Sequence, residues 1–430
     1  MLAQALARRL KRAGIHYGWA TVAIVFLLLL STAGCMGISG ALIIPLTKEF
    51  GWTTEQISVA LALRIVLFGL MAPFTAALID KYGFKRVVIV ALALIEIGLV
   101  GALWMTNLWQ LILFWGVIVG FGTGLTAMVL GAVVATRWFS TRRGLAVGIL
   151  SASSASGQLV LLPLAAWLAD RHGWRVALAP PIVALLAVAI LVVLFLADRP
   201  EDVGLKPYGD KGDTPAHQAP AAAFSRAFEI LVESTRSLAF WVLAGTFFVC
   251  GLSTNGLIQT HFISLCGDYG IPAVAAASTL AVMGVFDFVG TIGSGWLSDR
   301  FDNRALLFMY YGLRGLSLLY LPSSNFTVYG LSLFAVFYGL DWIATVPPTV
   351  RLTANHFGRE RAGVVYGWVF ASHMIGAAFA AWAGGFFRST FETYLPAFYA
   401  AGFACLIAAA AVWLIGRRQS ARERLIEARA

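Results

Sequence analysis

The chain has 430 residues, of which 60% are hydrophobic and only 12% charged, where an average soluble domain carries about 25% charged residues. Water is therefore excluded as its main solvent. The net charge of +10 points to no nucleic-acid partner, because the basic residues are spread between apolar runs and gather in no single patch. Cys35, Cys250, Cys266 and Cys405 fall within or at the ends of apolar runs without CxxC spacing, so neither a disulfide framework nor a metal site is suggested.

A hydrocarbon core about 30 Å thick takes about 20 apolar residues per spanning helix. Runs of that length occur at 19–44, 56–79, 87–106, 109–136, 144–168, 175–197, 238–265, 272–298, 305–322, 326–350, 362–387 and 394–416. The fold expected is an all-α membrane protein, with twelve transmembrane helices in two six-helix bundles. Arg8, Arg9, Lys11 and Arg12 precede a first run too long for a cleaved signal peptide, so that helix is expected to stay. With both termini cytoplasmic, every Lys and Arg falls on the cytoplasmic side except Lys48, Arg171, Arg175, Arg388 and the intramembrane Arg64 and Arg314. That is the positive-inside bias. The expected organisation is an N-terminal bundle at 1–197, a cytoplasmic linker at 198–237 containing Pro200, Pro207, Pro215 and Pro220, and a C-terminal bundle at 238–430. Within the linker, 224–238 reads either as an amphipathic surface helix or as part of a flexible tether.

Charges inside a bilayer cost at least about 2.5–3.5 kcal/mol each, so each needs a partner or a wet cavity. Counting about 1.5 Å of rise per residue, Arg64 lies about 24 Å from Asp80, beyond the midplane. No acid stands one turn away from it, and its guanidinium suits a substrate anion, with snorkelling or pairing to another helix as alternatives. Glu96 in the third span is expected to pack against a polar neighbour. His261 lies near the outer end, at a gate or at the interface. Asp287, Arg314, Asp341 and His373 share a depth about 15–18 Å from the cytoplasmic loops. One expectation is that Arg314 bridges Asp287 and Asp341 and rearranges on protonation or anion binding; the other is a permanent ion pair. His373 is a candidate for proton coupling or a neutral ring bonded to a helix carbonyl. Pro347 and Pro348 mark a hinge or a static kink. The glycine runs Gly116, Gly120, Gly122, Gly124, Gly131 and Gly290, Gly293, Gly295 allow close helix contact.

The two halves overlay as a repeat. Asp80-Lys81-Tyr82-Gly83-Phe84-Lys85-Arg86 falls opposite Asp299-Arg300-Phe301-Asp302-Asn303-Arg304, and Phe139 to Arg143 opposite Phe357 to Arg361. The first of these loops resembles the major facilitator superfamily signature Gly-x-x-x-Asp-(Arg/Lys)-x-Gly-(Arg/Lys)-(Arg/Lys), with Ala76 in place of the usual glycine and Gly295 keeping it in the second half. Pro45-Leu46, Phe50-Gly51-Trp52-Thr53 and Trp138-Phe139-x-x-Arg142-Arg143-Gly144-Leu145-Ala146 resemble the monocarboxylate-porter and oxalate/formate-exchanger branch. The chain departs from that branch where its first helix lacks a charge and where Thr291 stands in place of the arginine four residues after Asp287.

The resemblance implies a secondary transporter working by alternating access, with the substrate near the midplane between the halves. It makes Asn255, Gln259 and Gln158 cavity-lining candidates, with polar interhelical bonding as the alternative. It places the ninth helix, and so Arg314, outside the usual cavity wall. It carries over a cytoplasmic gate in which Asp80 pairs with Arg137 and with the start of the eleventh helix, with Asp299 and Arg351 as counterparts. The leading function is therefore transport of small organic anions with proton coupling or anion exchange, in the plasma membrane, by a monomer, without a cofactor. A transporter of larger solutes such as drugs or siderophores is the alternative. A membrane enzyme or sensor is disfavoured, because no loop holds a nucleophile with a base and no GxxxxGK[ST] loop occurs.

Overall fold

The computed structural model describes residues 2–126, 129–210 and 223–416. A short amphipathic helix, Leu2–Arg12, precedes the first span, Tyr17–Phe50. The following spans are Thr54–Tyr82, Phe84–Ala102, Leu108–Leu125 continued by Val129–Trp138, Arg143–His172 and Trp174–Phe195. The second bundle holds Leu238–Asp268, Ala273–Ser298, Asn303–Tyr320, Val328–Phe357, Arg359–Phe391 and Leu395–Leu414, the seventh to twelfth spans. Among the described residues nine helices are by themselves long and apolar enough to cross a membrane. The third, fifth and ninth spans complete the twelve.

The eighth span shows why lipid is the solvent. Val285, Phe288, Val289, Ile292 and Trp296 form a stripe of helical period, each at least 50% exposed, while Met283, Asp287, Ser294 and Ser298 face inward and are buried. An apolar stripe of that size is covered by hydrocarbon or by a partner, not by water. Short turns join neighbours at the ends. Gly83, Gly173 and Gly358 hold φ of 92°, 87° and 82° between spans two and three, five and six, and ten and eleven, a region that residues with a Cβ rarely adopt.

The N-terminal bundle has its own core around Tyr17, Trp115, Trp138 and Phe139, and the C-terminal bundle has two, around Phe262 and Tyr338 and around Phe247 and Tyr311. The halves meet along two seams, span two against eleven and span five against eight. Ile65, Met374, Ala377, Ala378 and Ala381 fill the first seam. At the end away from the termini the halves touch directly. A Cβ on Gly40 of the first span would lie 2.7 and 2.8 Å from the carbonyl oxygens of Gln259 and Thr260 in the seventh. Beside it, the Glu55 amide donates to Ser389 Oγ at 3.1 Å.

The connection between the bundles lies on both of them at the end carrying the termini. Tyr208 N donates to the Trp138 carbonyl at 2.8 Å, and its own carbonyl accepts from Ser140 N at 2.9 Å. Farther on, of the two readings of 224–238 the helix is found and not the tether: it runs over Ala223–Ser234 and stops in a turn before Leu238. It packs against spans two and eleven. Trp368 Nε1 donates to the Ala227 carbonyl at 3.1 Å, and the Phe228 ring lies tilted between Phe74 and Trp368, with centroids 6.0 and 5.5 Å away.

Candidate functional site

The tenth span is broken. Its first helix ends at Asp341, a turn follows, and helix resumes at Val346. Pro347 and Pro348 stand in the first turn of the resumed helix, where backbone N–H groups have no intrahelical acceptor, so the prolines cost little there. The break lies before them and not at them, which corrects the expected proline kink.

Side chains from two other spans, the eighth and the ninth, satisfy the backbone groups freed by this break. Arg314 Nη2 donates to the Asp341 and Trp342 carbonyls at 2.5 and 3.0 Å, Ser294 Oγ donates to the Ala344 carbonyl at 2.5 Å, and the Ile343 amide donates to Asp287 Oδ1 at 2.8 Å. Arg314 Nε meets Asp341 Oδ2 at 2.7 Å, and Nη1 reaches Cys250 Sγ in the seventh span at 2.9 Å. The pair is sealed, with the arginine side chain 0% and the aspartate 4% exposed. Arg314 therefore does not bridge the two acids. Asp287 is satisfied by the Ile343 amide and by Thr291 Oγ1 at 3.0 Å, from the position where the related branch carries arginine.

A second polar group sits on the seventh span, whose middle, Leu252–Ile258, winds as a π-helix, a form that recurs at functional sites. Asn255 Nδ2 donates to Gln259 Oε1 at 2.6 Å, and Asn255 Oδ1 faces His373 Nε2 of the eleventh span at 3.1 Å. The imidazole lies between Phe247 and Phe370, 4.7 and 5.8 Å away. His373 thus bonds a side-chain amide and not a helix carbonyl. His261 takes the carbonyl mode instead: fully buried, it donates from Nε2 to the Ala381 carbonyl at 2.7 Å, a contact within the C-terminal bundle.

Arg64 is a buried charged group of the N-terminal bundle, on its second span. The first span breaks at Ile38, and Arg64 reaches into that break: Nη1 donates to Ser39 Oγ at 2.6 Å and Nη2 approaches the Met36 carbonyl at 3.4 Å. Arg64 is 4% exposed, and Nε is buried without a hydrogen-bond partner. Among the described residues no carboxylate is ion-paired with it. Glu96, half-buried on the third span, also keeps a buried oxygen without a partner.

Of the gate residues, Asp299 and Arg351 are paired, both well exposed. They line a cavity of about 500 Å³ that opens between spans eight and ten beside Gly295, Pro347 and Asn355. Arg137 lies in the last turn of the fourth span. The side chains of Asp80 and Gln158 lie outside the described residues. The glycine expectation divides. A Cβ at Gly116, Gly120, Gly122 or Gly124 would lie 2.6 to 3.2 Å from the second or third span, and Gly290 lies against the Leu340 backbone, whereas Gly293 and Gly295 face open space. Sequence reasoning missed Ser39, Gly40, Cys250 and Ser294, which are small and carry no charge to draw attention.

Twelve spans in two bundles meeting at a central seam, with broken helices stapled near the middle, describe a secondary transporter. The chain belongs to the Major Facilitator Superfamily, whose profile matches residues 24–380. Monocarboxylate transporter 13 of Rattus norvegicus is 26% identical over 90% of this chain and 86% of its own length. Monocarboxylate transporter 12-B of Danio rerio is 29% identical over 78% and 74%, and the uncharacterised MFS-type transporter YcxA of Bacillus subtilis is 24% identical over 82% and 84%. The inward open xylose transporter XylE of E. coli aligns with a TM-score of 0.72 at 14% identity, covering 96% of this chain and 99% of that one. The chain is accordingly an integral membrane transporter of the monocarboxylate-porter-like branch, working by alternating access. It is not an enzyme, and its family works without a bound cofactor.

Proposed function

We propose that the protein carries small organic anions across the plasma membrane, with both termini in the cytoplasm, as a monomer driven by protons or by exchange. The observation that carries this reading is Arg64. Its Nη1 is anchored on Ser39, which leaves the Nε and Nη2 edge without a strong partner. That edge is the one that grips a carboxylate with two parallel bonds. An unpaired ion in a low-dielectric interior costs several kcal/mol, and an incoming anion offsets that cost. Arg314 lacks this capacity, because Asp341 and two carbonyls already fill its fork. Its guanidinium also occupies freed carbonyls of the broken tenth span, the kind of site where other transporters seat a coupling cation, which favours protons over sodium. On the proposed orientation the halves are closed outside and the structure faces the cytoplasm.

A thermal-shift screen of purified protein against mono- and dicarboxylates, aromatic acids, neutral sugars and cationic drugs tests the substrate class. Acids should stabilise the wild type, and Arg64→Gln should lose that response while staying folded. Stabilisation by cations or sugars alone, or by acids equally in both proteins, would overturn the reading.

A further inference from the structure

The hydrogen bonds around His373 fix its tautomer. Asn255 uses its amide nitrogen as donor to Gln259 at 2.6 Å, which turns its oxygen toward His373 Nε2 at 3.1 Å. An amide oxygen only accepts, so Nε2 carries the hydrogen and Nδ1 is left with a bare lone pair. That atom is buried without a partner in a side chain 7% exposed. A buried acceptor left unpaired is costly, and it is filled by a bound proton or by the hydrogen of the Cys250 thiol, which hydrogen-bonds the ring.

The surroundings accommodate the charge that a proton brings. Phe247 and Phe370 present their rings to the imidazole, and an aromatic face attracts a cation. From the seventh span Cys250 is the titratable group that faces it, and Arg314 stands behind that thiol at 2.9 Å with Asp341 as its counter-ion. The second span meets this stretch of the eleventh with Ile65, Phe68 and Gly69, none of them titratable. The charged ring is thus held by the aromatic faces and opposed by Arg314, the balance needed for a proton that must also leave. The two acids are poorer carriers: Asp341 is occupied by Arg314, and Asp287 by the Ile343 amide and Thr291.

Resting on the anion reading above, we propose that His373 Nδ1 is the proton-binding atom of the transport cycle. We propose further that Asn255 and Gln259 convey its charge state to the contact of the first and seventh spans at Gly40. The chain of contacts is continuous. Arg64 donates to Ser39, the neighbouring Gly40 lies on the Gln259 carbonyl, and Gln259 holds Asn255, which holds His373. An anion on Arg64 and a proton on His373 form a neutral pair, one partner in each half, and the seam between the halves can close over both.

The test needs no substrate. Lys81→Cys and Asn355→Cys place spin labels on the two bundles at the end bearing the termini, and the four native cysteines are buried. Distances are measured by double electron–electron resonance in nanodiscs between about pH 5 and 8, the range in which an imidazole changes charge. The wild-type distribution should shift with pH. His373→Gln should be fixed near the high-pH distribution and His373→Arg near the low-pH one, while Asp287→Asn still responds. Asn255→Asp, which places a carboxylate against the ring, should move the pH response of the distance distribution. A wild type without a pH response, a His373→Gln protein that responds normally, or an Asn255→Asp response that stays in place would each overturn the proposal. None of these outcomes bears on whether Arg64 recognises anions, which the thermal-shift screen decides separately.

Discussion

Two buried arginines of the same charge have opposite fates because of what surrounds them. Arg314 has a carboxylate, two carbonyls and a thiol; Arg64 has a hydroxyl and one long contact to a carbonyl. Removing one member of a buried ion pair strands the other, typically at about 3–5 kcal/mol. Arg314→Met should therefore lower thermal stability sharply, and pairing it with Asp341→Leu should recover part of the loss in a double-mutant cycle; additive losses would contradict the pairing. Among the described residues Arg64 has no acid to strand. Arg64→Met should melt no lower than the wild type, and a large drop in melting temperature would show that Arg64 is structural. The charge of both residues is legible in the sequence, but their partners are not. Ser39 and Cys250 lie 25 and 64 residues away from their arginines, and no local spacing brings them together.

At the scale of elements, the break in the tenth span is built by its neighbours more than by its own prolines. With Pro347 and Pro348 in a first turn, Pro347→Ala should change stability and transport little. Asp287→Leu should act strongly, because it leaves the Ile343 amide buried without an acceptor, at about 1–3 kcal/mol. Circular-dichroism melts of the two variants in the same detergent separate these cases, and a more damaging proline variant would return the hinge to the prolines. The position of the break was hidden in the sequence for this reason: a proline pair marks either a kink within a helix or the start of a new one, and only the placement of Arg314, Ser294 and Asp287 decides between them. The spans themselves were legible, since apolar length and charge sidedness act through the bilayer and not through particular partners. The irregular stretches, the π-helical middle of span seven and the break at Ile38, leave the average hydrophobicity unchanged and were invisible for that reason.

At the scale of the whole molecule, closure away from the termini depends on backbone contact at Gly40. A Cβ there would sit 2.7 Å from a carbonyl oxygen, well inside van der Waals distance, and the neighbour it meets is backbone that cannot rotate aside. Gly40→Val should shift the population toward the conformation opened at that end, read as a longer distance between labels on the outer ends of spans one and seven; an unchanged distribution would contradict the closure. At the opposite end the helix Ala223–Ser234 lies across spans two and eleven, whereas the exposed Asp299–Arg351 pair joins spans eight and ten of one bundle and does not tie the halves together.

The central claim is that an anion is carried because Arg64 lacks a fixed partner. Counterflow of radiolabelled acids in proteoliposomes addresses it most directly, because exchange of label needs alternating access and a binding site but no gradient. The wild type should exchange the acids that stabilise it, and Arg64→Gln should lose at least about tenfold of that exchange, the equivalent of one good charged contact. Equal exchange by wild type and Arg64→Gln would contradict the account.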